Sequence, residues 1–271
     1  MQSKMDERPL DDKTNAAADA MEEAARKCTV GIVSGSGAHK WTGIGTGTLI
    51  RWSGRPFILT AEHVIGSTLV EDLRFFLPHR DPPRKVDRDL LSRLPGVPSA
   101  ILSSFSEVRI RSVERDQSID LALLEVPEVI IEGRPATFFE FAPVGPGPQE
   151  GHTSLAIGFP FDISRVLEDD SRVAFMHTEW WPVEAPPAKR LENFDPTIHF
   201  ASRFGARDTH SNANPSGMSG AARWSRKGDT PDVWHPNLDI IGVTVTYYAG
   251  LGILKMVRRD AVVRFLKQHA G

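Results

Sequence analysis

From Thr29 to Val257 the apolar residues come in short runs separated by Gly, Pro and polar clusters, not at sustained helical spacing. Runs of that kind bounded by turn residues read as β-strands. A first group covers residues 29–33, 46–52, 55–60, 73–77, 108–113 and 121–126. Ser53-Gly54 is a tight-turn signal between the second and third runs, which predicts that they pair as a hairpin. A second group covers residues 155–159, 172–178, 198–202, 221–224, 240–247 and 253–257. The proline- and charge-rich stretch 78–98 predicts a long surface loop. Residues 180–196 read as irregular, and 143–151, rich in Pro and Gly, as a linker. Helical patterning is confined to the two ends. Residues 14–28 are rich in strong helix formers, with Thr14 or Asn15 able to cap the start, after a polar, mobile segment 1–13. In 260–269, Val262, Val263, Phe265 and Leu266 are spaced to pack one helical face on the body. The expected organisation is an N-terminal extension 1–29, helical in part, a strand group 30–142, and a second group 150–271 that ends in a helix. Many short strands and few helices predict an all-β protein of sandwich or barrel type.

Charge and composition narrow the function classes. A formal net charge of -3 over 271 residues gives no basic footprint, so no nucleic-acid partner is expected. Residues 80–93 are locally basic, but Asp81, Asp87 and Asp89 interrupt them, as in a solvated loop. Cys28 is the only cysteine, so no internal disulfide can form, which fits a reducing compartment, and burial is its expected fate. The acidic N-terminal residues, among them Asp6, Glu7, Asp11 and Asp12, lack the basic start and apolar run of a signal peptide. No apolar stretch approaches the roughly 20 residues of a membrane span. The expectation is a soluble cytoplasmic protein without a membrane partner.

Three separated pieces carry candidate chemistry. A serine hydroxyl is a poor nucleophile without a base, the base needs an orienting carboxylate, and donors must face the oxygen that becomes negative. Ser216-Gly217-Met218-Ser219-Gly220 offers the nucleophile Ser219. The N–H groups of Gly217 and Ser219 would form the oxyanion hole, since glycine can take the required backbone angles. Thr60-Ala61-Glu62-His63-Val64 offers a base, His63, just past an apolar strand. The other eight histidines read as structural or exposed. Ser118-Ile119-Asp120-Leu121 offers the acid, because a carboxylate heading an apolar run implies a partner. Asp116 competes, but it lies among Glu114, Arg115 and Gln117 and reads as exposed. His63 and Asp120 fall in the first strand group and Ser219 in the second, so a cleft between the groups would assemble the site.

With these residues in view, the chain resembles the trypsin-like, chymotrypsin-fold serine peptidases, as a bacterial-type member. The resemblance rests on Thr60 to Val64, Asp120-Leu121-Ala122 and Gly217-Met218-Ser219-Gly220. It is supported by Gly45-Thr46-Gly47-Thr48-Leu49-Ile50, Ala156-Ile157-Gly158-Phe159-Pro160 and the closing strand and helix. It implies two six-stranded antiparallel β-barrels and peptide-bond hydrolysis of protein or peptide substrates, without metal or cofactor. Met218 replaces the aspartate that pairs with a new N-terminus in secreted trypsins, so that activation switch is absent. Restraint would then come from the N-terminal segment or a regulatory partner protein. Ala213 occupies the position of trypsin's charge-reading aspartate, so a preference for Arg or Lys is not implied. Thr244, Val245, Thr246 and Gly250 would line a modest, uncharged specificity pocket.

Other readings stay open or fail on the residues. An α/β-hydrolase esterase needs Gly-x-Ser-x-Gly and the order Ser, acid, His; here Ala221 holds the fifth position and the order is reversed. No zinc motif is present, and Gly43, Gly45 and Gly47 run into a strand, not a helix N-terminus that could hold phosphate. Trp180-Trp181 reads as packing before substrate wall. A protease fold kept as a binding module remains the alternative.

Overall fold

The computed structural model describes residues 12–34, 43–78, 102–106, 108–127, 130–131, 134–159, 174–175, 177–183, 191–203, 215–226 and 238–271. Segments 1–11 and 35–42, the body of the 78–98 loop and Ala213 lie outside them.

The strands follow the apolar runs. In the first half they are β1 (Thr29–Ser34), β2 (Gly43–Trp52), β3 (Arg55–Thr60), β4 (Leu73–Pro78), β5 (Leu102–Ser106), β6 (Ser112–Asp116), β7 (Leu121–Glu125), β8 (Ile130–Ile131), β9 (Arg134–Pro135) and β10 (Phe139–Glu140). In the second half they are β11 (Thr153–Gly158), β12 (Ala174–Phe175), β13 (His177–Pro182), β14 (His199–Arg203), β15 (Ala222–Arg226), β16 (Leu238–Tyr248) and β17 (Ile253–Arg258). Among the described residues they form two main antiparallel sheets. One runs β12-β5-β4-β1-β2-β3-β7-β6, with β10 added parallel to β2; the other runs β13-β11-β15-β16-β17-β14. The expected β2–β3 hairpin forms, and Ser53 and Gly54 both take positive φ, 49° and 79°. The protein is thus mostly β, as the runs predict.

Several differences have local causes. The run at 108–113 becomes a strand only from Ser112 and extends through Glu114, Arg115 and Asp116. β6 is the edge of its sheet, where polar residues on one face meet water and cost little. The Ser-rich β5 is ordered by pairing with β4. Trp180 to Pro182 belong to β13, paired along β11.

Side-chain alternation divides the interior. On β3 and β7, Phe57, Leu59, Leu121 and Leu123 point into a core shared with the second sheet. Ile58, Ala122 and Leu124 point the other way, into a core with Val30, Ile32 and Leu49. On β11 and β16, Leu155, Ile157, Val243 and Val245 join the shared core. Ala156 and Ile241 face a third cluster with Met218, Leu254 and Met256. Strands buried on both faces have no polar face to show, which is why these runs are continuously apolar.

Two helices cover the body. α1 (Asp12–Lys27) buries Ala17, Met21 and Ala25 along one face and packs on β11 and β16. Arg26 binds Glu22 and Glu23 on its outer side. Cys28 is buried at its end, and burial pushes the thiol pKa up to about 12. A thiol so shifted stays protonated and unreactive at neutral pH. α1 is therefore part of the core packing. α2 (Glu62–Ile65) is one short turn. α3 (Arg259–His269) buries Val262, Val263, Phe265 and Leu266, as its spacing predicts. Its Arg259 forms a buried ion pair with Asp239, donates to the Ala142 carbonyl at 2.7 Å and stacks on Phe141. The start of the stretch joining the two halves is thereby pinned to the second sheet.

Candidate active site

His63 is positioned by the end of β3. The strand stops at Thr60, Ala61 is extended, and the turn α2 opens at Glu62. Asp120 sits at the head of β7 with φ +58°, a left-handed conformation uncommon outside glycine. Three contacts hold it there. Its carbonyl accepts the Glu62 N–H at 3.2 Å, and Oδ1 accepts the His63 N–H at 3.0 Å. Its carboxylate also faces the His63 ring, with Nδ1 2.8 Å from Oδ2 and 3.0 Å from Oδ1. A carboxylate only accepts, so Nδ1 carries a proton, and in the neutral imidazole Nε2 is then the ring nitrogen with the lone pair. The competing Asp116 spends its Oδ1 on the N–H and hydroxyl of Ser118, closing the β6–β7 turn.

Ser219 comes from the turn before β15. Gly217 and Gly220 take φ of 96° and 87°, which side chains resist. A Cβ on Gly220 would lie 1.9 Å from the Thr46 carbonyl oxygen, so the backbones touch there. Met218 N–H bonds Pro215 O and Gly220 N–H bonds Thr244 O, whereas the N–H groups of Gly217 and Ser219 bond no acceptor among the described residues. Met218 itself is buried in the third apolar cluster, which anchors the turn. Sequence reasoning did not single out Thr46 and Thr60 as positioning residues. Thr46 N–H bonds Ser219 O at 2.8 Å, and its hydroxyl donates to Gly217 O at 2.6 Å and accepts Phe159 N–H at 3.1 Å. The Thr60 hydroxyl donates to Thr46 O. These buried hydroxyls tie the serine turn to β2, β3 and β11. Both threonines stand at the ends of strand runs, and nothing in the local sequence sets them apart from ordinary strand residues.

His63, Asp120 and Ser219 line one cleft of about 1190 Å³. Val245 and Thr246 line it too. Thr244 is buried, its backbone bonded to Gly220 and Ala221 of the Ser219 turn; β16 bulges between Thr244 and Thr246, and Gly250 is exposed and outside the lining. The wall is not uncharged: Asp120, Asp195 and Lys255 line it, beside His199. Among the described residues the Ser219 hydroxyl forms no hydrogen bond, and no group of His, Cys, Asp or Glu could hold a metal.

His199 gives the cleft a titrating neighbour. It is buried, and its Nδ1 accepts the Asp195 N–H at 3.0 Å. Burial first, and the Lys255 charge second, lower its pKa from 6.5 to about 4. Since the unfolded chain binds the proton more readily, His199 contributes stability that is complete above pH 6.5 and lost as pH falls toward 4. At about 1.4 kcal/mol per pKa unit this is about 3 kcal/mol. Urea unfolding at pH 6.5 and 4.5 should show a steeper loss in the wild type than in His199→Gln; equal losses would remove His199 from the account.

No curated protein matches the chain in sequence. Among solved structures it is similar to a serine endoprotease from Yersinia pestis, with 16% identity and TM-score 0.55 over 93% of this chain. The chain spans 65% of that protein's length. It is also similar to a protease from M. tuberculosis in its active form, with 16% identity and TM-score 0.51 over 93% of this chain and 84% of that one. A third neighbour is an inactivated protease paralogue of the scabies mite, with 13% identity and TM-score 0.58 over 91% and 95%. At these identities the likeness is one of fold. Among the described residues no helix is long and apolar enough to cross a membrane. The profile of the trypsin-like peptidase domain matches residues 45–230, from β2 through Ser219 and β15, and the chain belongs to that family.

Proposed function

We propose that the chain is a serine endopeptidase whose catalytic residues are His63, Asp120 and Ser219. The observation that carries the reading is the His63 Nδ1 contact with both Asp120 carboxylate oxygens, at the head of the cleft that Ser219 lines. That contact leaves Nε2 as a base. It removes the Ser219 proton as the hydroxyl attacks a peptide carbonyl, and returns it to the leaving amine. Water then repeats the cycle on the acyl-enzyme. Asp120 stays ionised and stabilises the imidazolium. The N–H groups of Gly217 and Ser219, bonded to nothing else among the described residues, receive the oxyanion. Contacts between nucleophile and base are commonly long before substrate binds. The substrate is a protein or peptide chain, and restraint would come from the N-terminal segment or a partner protein; among the described residues α1 lies in the core packing and not in the cleft lining.

A second reading, a binding module, is favoured by the unbonded Ser219 hydroxyl and by the likeness to an inactivated paralogue. A fluorophosphonate probe separates the two. The peptidase reading expects labelling of the wild type and none of Ser219→Ala. A wild type that stays unlabelled favours the binding module.

A further inference from the structure

Lys255 lies at the centre of β17, opposite Thr246 of β16 and Ala201 of β14. Paired residues share a sheet face, so Lys255, Thr246 and His199, two residues before Ala201, project to the same side. All three line the cleft. Lys255 is only 7% exposed. An ammonium carries three donors, yet its one hydrogen bond among the described residues goes to the Asn193 carbonyl, at 3.3 Å. No carboxylate forms an ion pair with it there. The two carboxylates of the cleft wall are engaged elsewhere. Asp120 takes the His63 N–H and ring, and Asp195 Oδ1 takes the N–H and hydroxyl of Thr197. The charge of Asp120 favours the ammonium without forming an ion pair with it, but burial outweighs that and holds Lys255 below the usual lysine range.

His199 adds a directed donor. Because its Nδ1 accepts the Asp195 N–H, the ring proton lies on Nε2, and among the described residues nothing accepts it. A cation and a neutral N–H donor on one face of a cleft match the two oxygens of a carboxylate.

We propose that Lys255 and His199 form a carboxylate-binding subsite, so that the cleft selects peptides carrying an acidic side chain or a free C-terminal carboxylate near the scissile bond. The inference rests on the peptidase reading for its substrate class, but binding tests it separately from cleavage. The full-length wild type should cleave internally quenched, C-amidated octapeptides with Glu or Asp at one preferred position about 10- to 100-fold faster, in kcat/KM, than their Gln or Asn counterparts. Lys255→Met should erase that ratio, and Lys255→Glu should turn it toward Lys. If a C-terminal carboxylate is the source, free-acid peptides outperform their amides and internal Glu has no effect. In parallel, the Ser219→Ala protein, read by fluorescence polarisation, should bind the favoured peptide more tightly than its neutral isostere. Cleavage with equal rates for Glu and Gln, and for acid and amide, would overturn the subsite and leave the peptidase standing. Absent cleavage with a retained acidic preference in binding would do the reverse. The wild-type comparison decides the matter even if a Lys255 variant folds poorly.

Discussion

Ser219→Ala should reduce kcat on any cleaved peptide by about 10⁶, with the fold unchanged. In serine proteases the nucleophile and base work as a unit, and losing either costs roughly that factor. The attack has no substitute once the oxygen is gone. What remains, about 10³–10⁴ over water, comes from the oxyanion donors and binding. Those donors are backbone N–H groups, which the substitution leaves in place. The stability side is favourable to the test. The Ser219 hydroxyl makes no hydrogen bond among the described residues, and the strained positions of the turn are its glycines. Alanine therefore removes no bond and leaves no buried orphan. Thermal melting should match the wild type, and His63→Ala added to Ser219→Ala should cost little more than either alone. Equal turnover by wild type and Ser219→Ala would end the assignment.

Asp120→Asn should cost about 10⁴ in kcat, again without unfolding. Asp120 Oδ1 accepts the His63 backbone N–H at 3.0 Å. An asparagine would keep its carbonyl oxygen there and turn its NH₂ toward the ring. A donor facing Nδ1 forces the ring proton onto Nε2, the atom that must accept the serine proton. The base is then present in place but in the wrong tautomer. The backbone tolerates the change, because asparagine is among the residues that most readily adopt the left-handed φ found at 120. Stopped-flow kinetics beside a melting curve would test this; a loss under tenfold with the fold intact would mean that Asp120 does not orient His63.

The sequence by itself determined much of this. Short apolar runs gave the strands, because a strand buried on both faces must be apolar at every position. Ser53-Gly54 marked its turn through backbone freedom alone. His63, Asp120 and Ser219 could be singled out because each stands in a local context that is costly or odd without a chemical partner. Only the tertiary structure decided the rest, because it depends on contacts between distant segments. Thr46 and Thr60 look like ordinary strand residues until the Ser219 turn packs on them. The β16 bulge is invisible in the run 240–247, as is the bonding of Thr244 to the Ser219 turn, which buries Thr244 while Thr246 lines the cleft. Lys255 read as one polar residue in a closing strand. Its burial beside His199 is set by the register of β14 on β17, and no local pattern encodes a register between strands more than fifty residues apart.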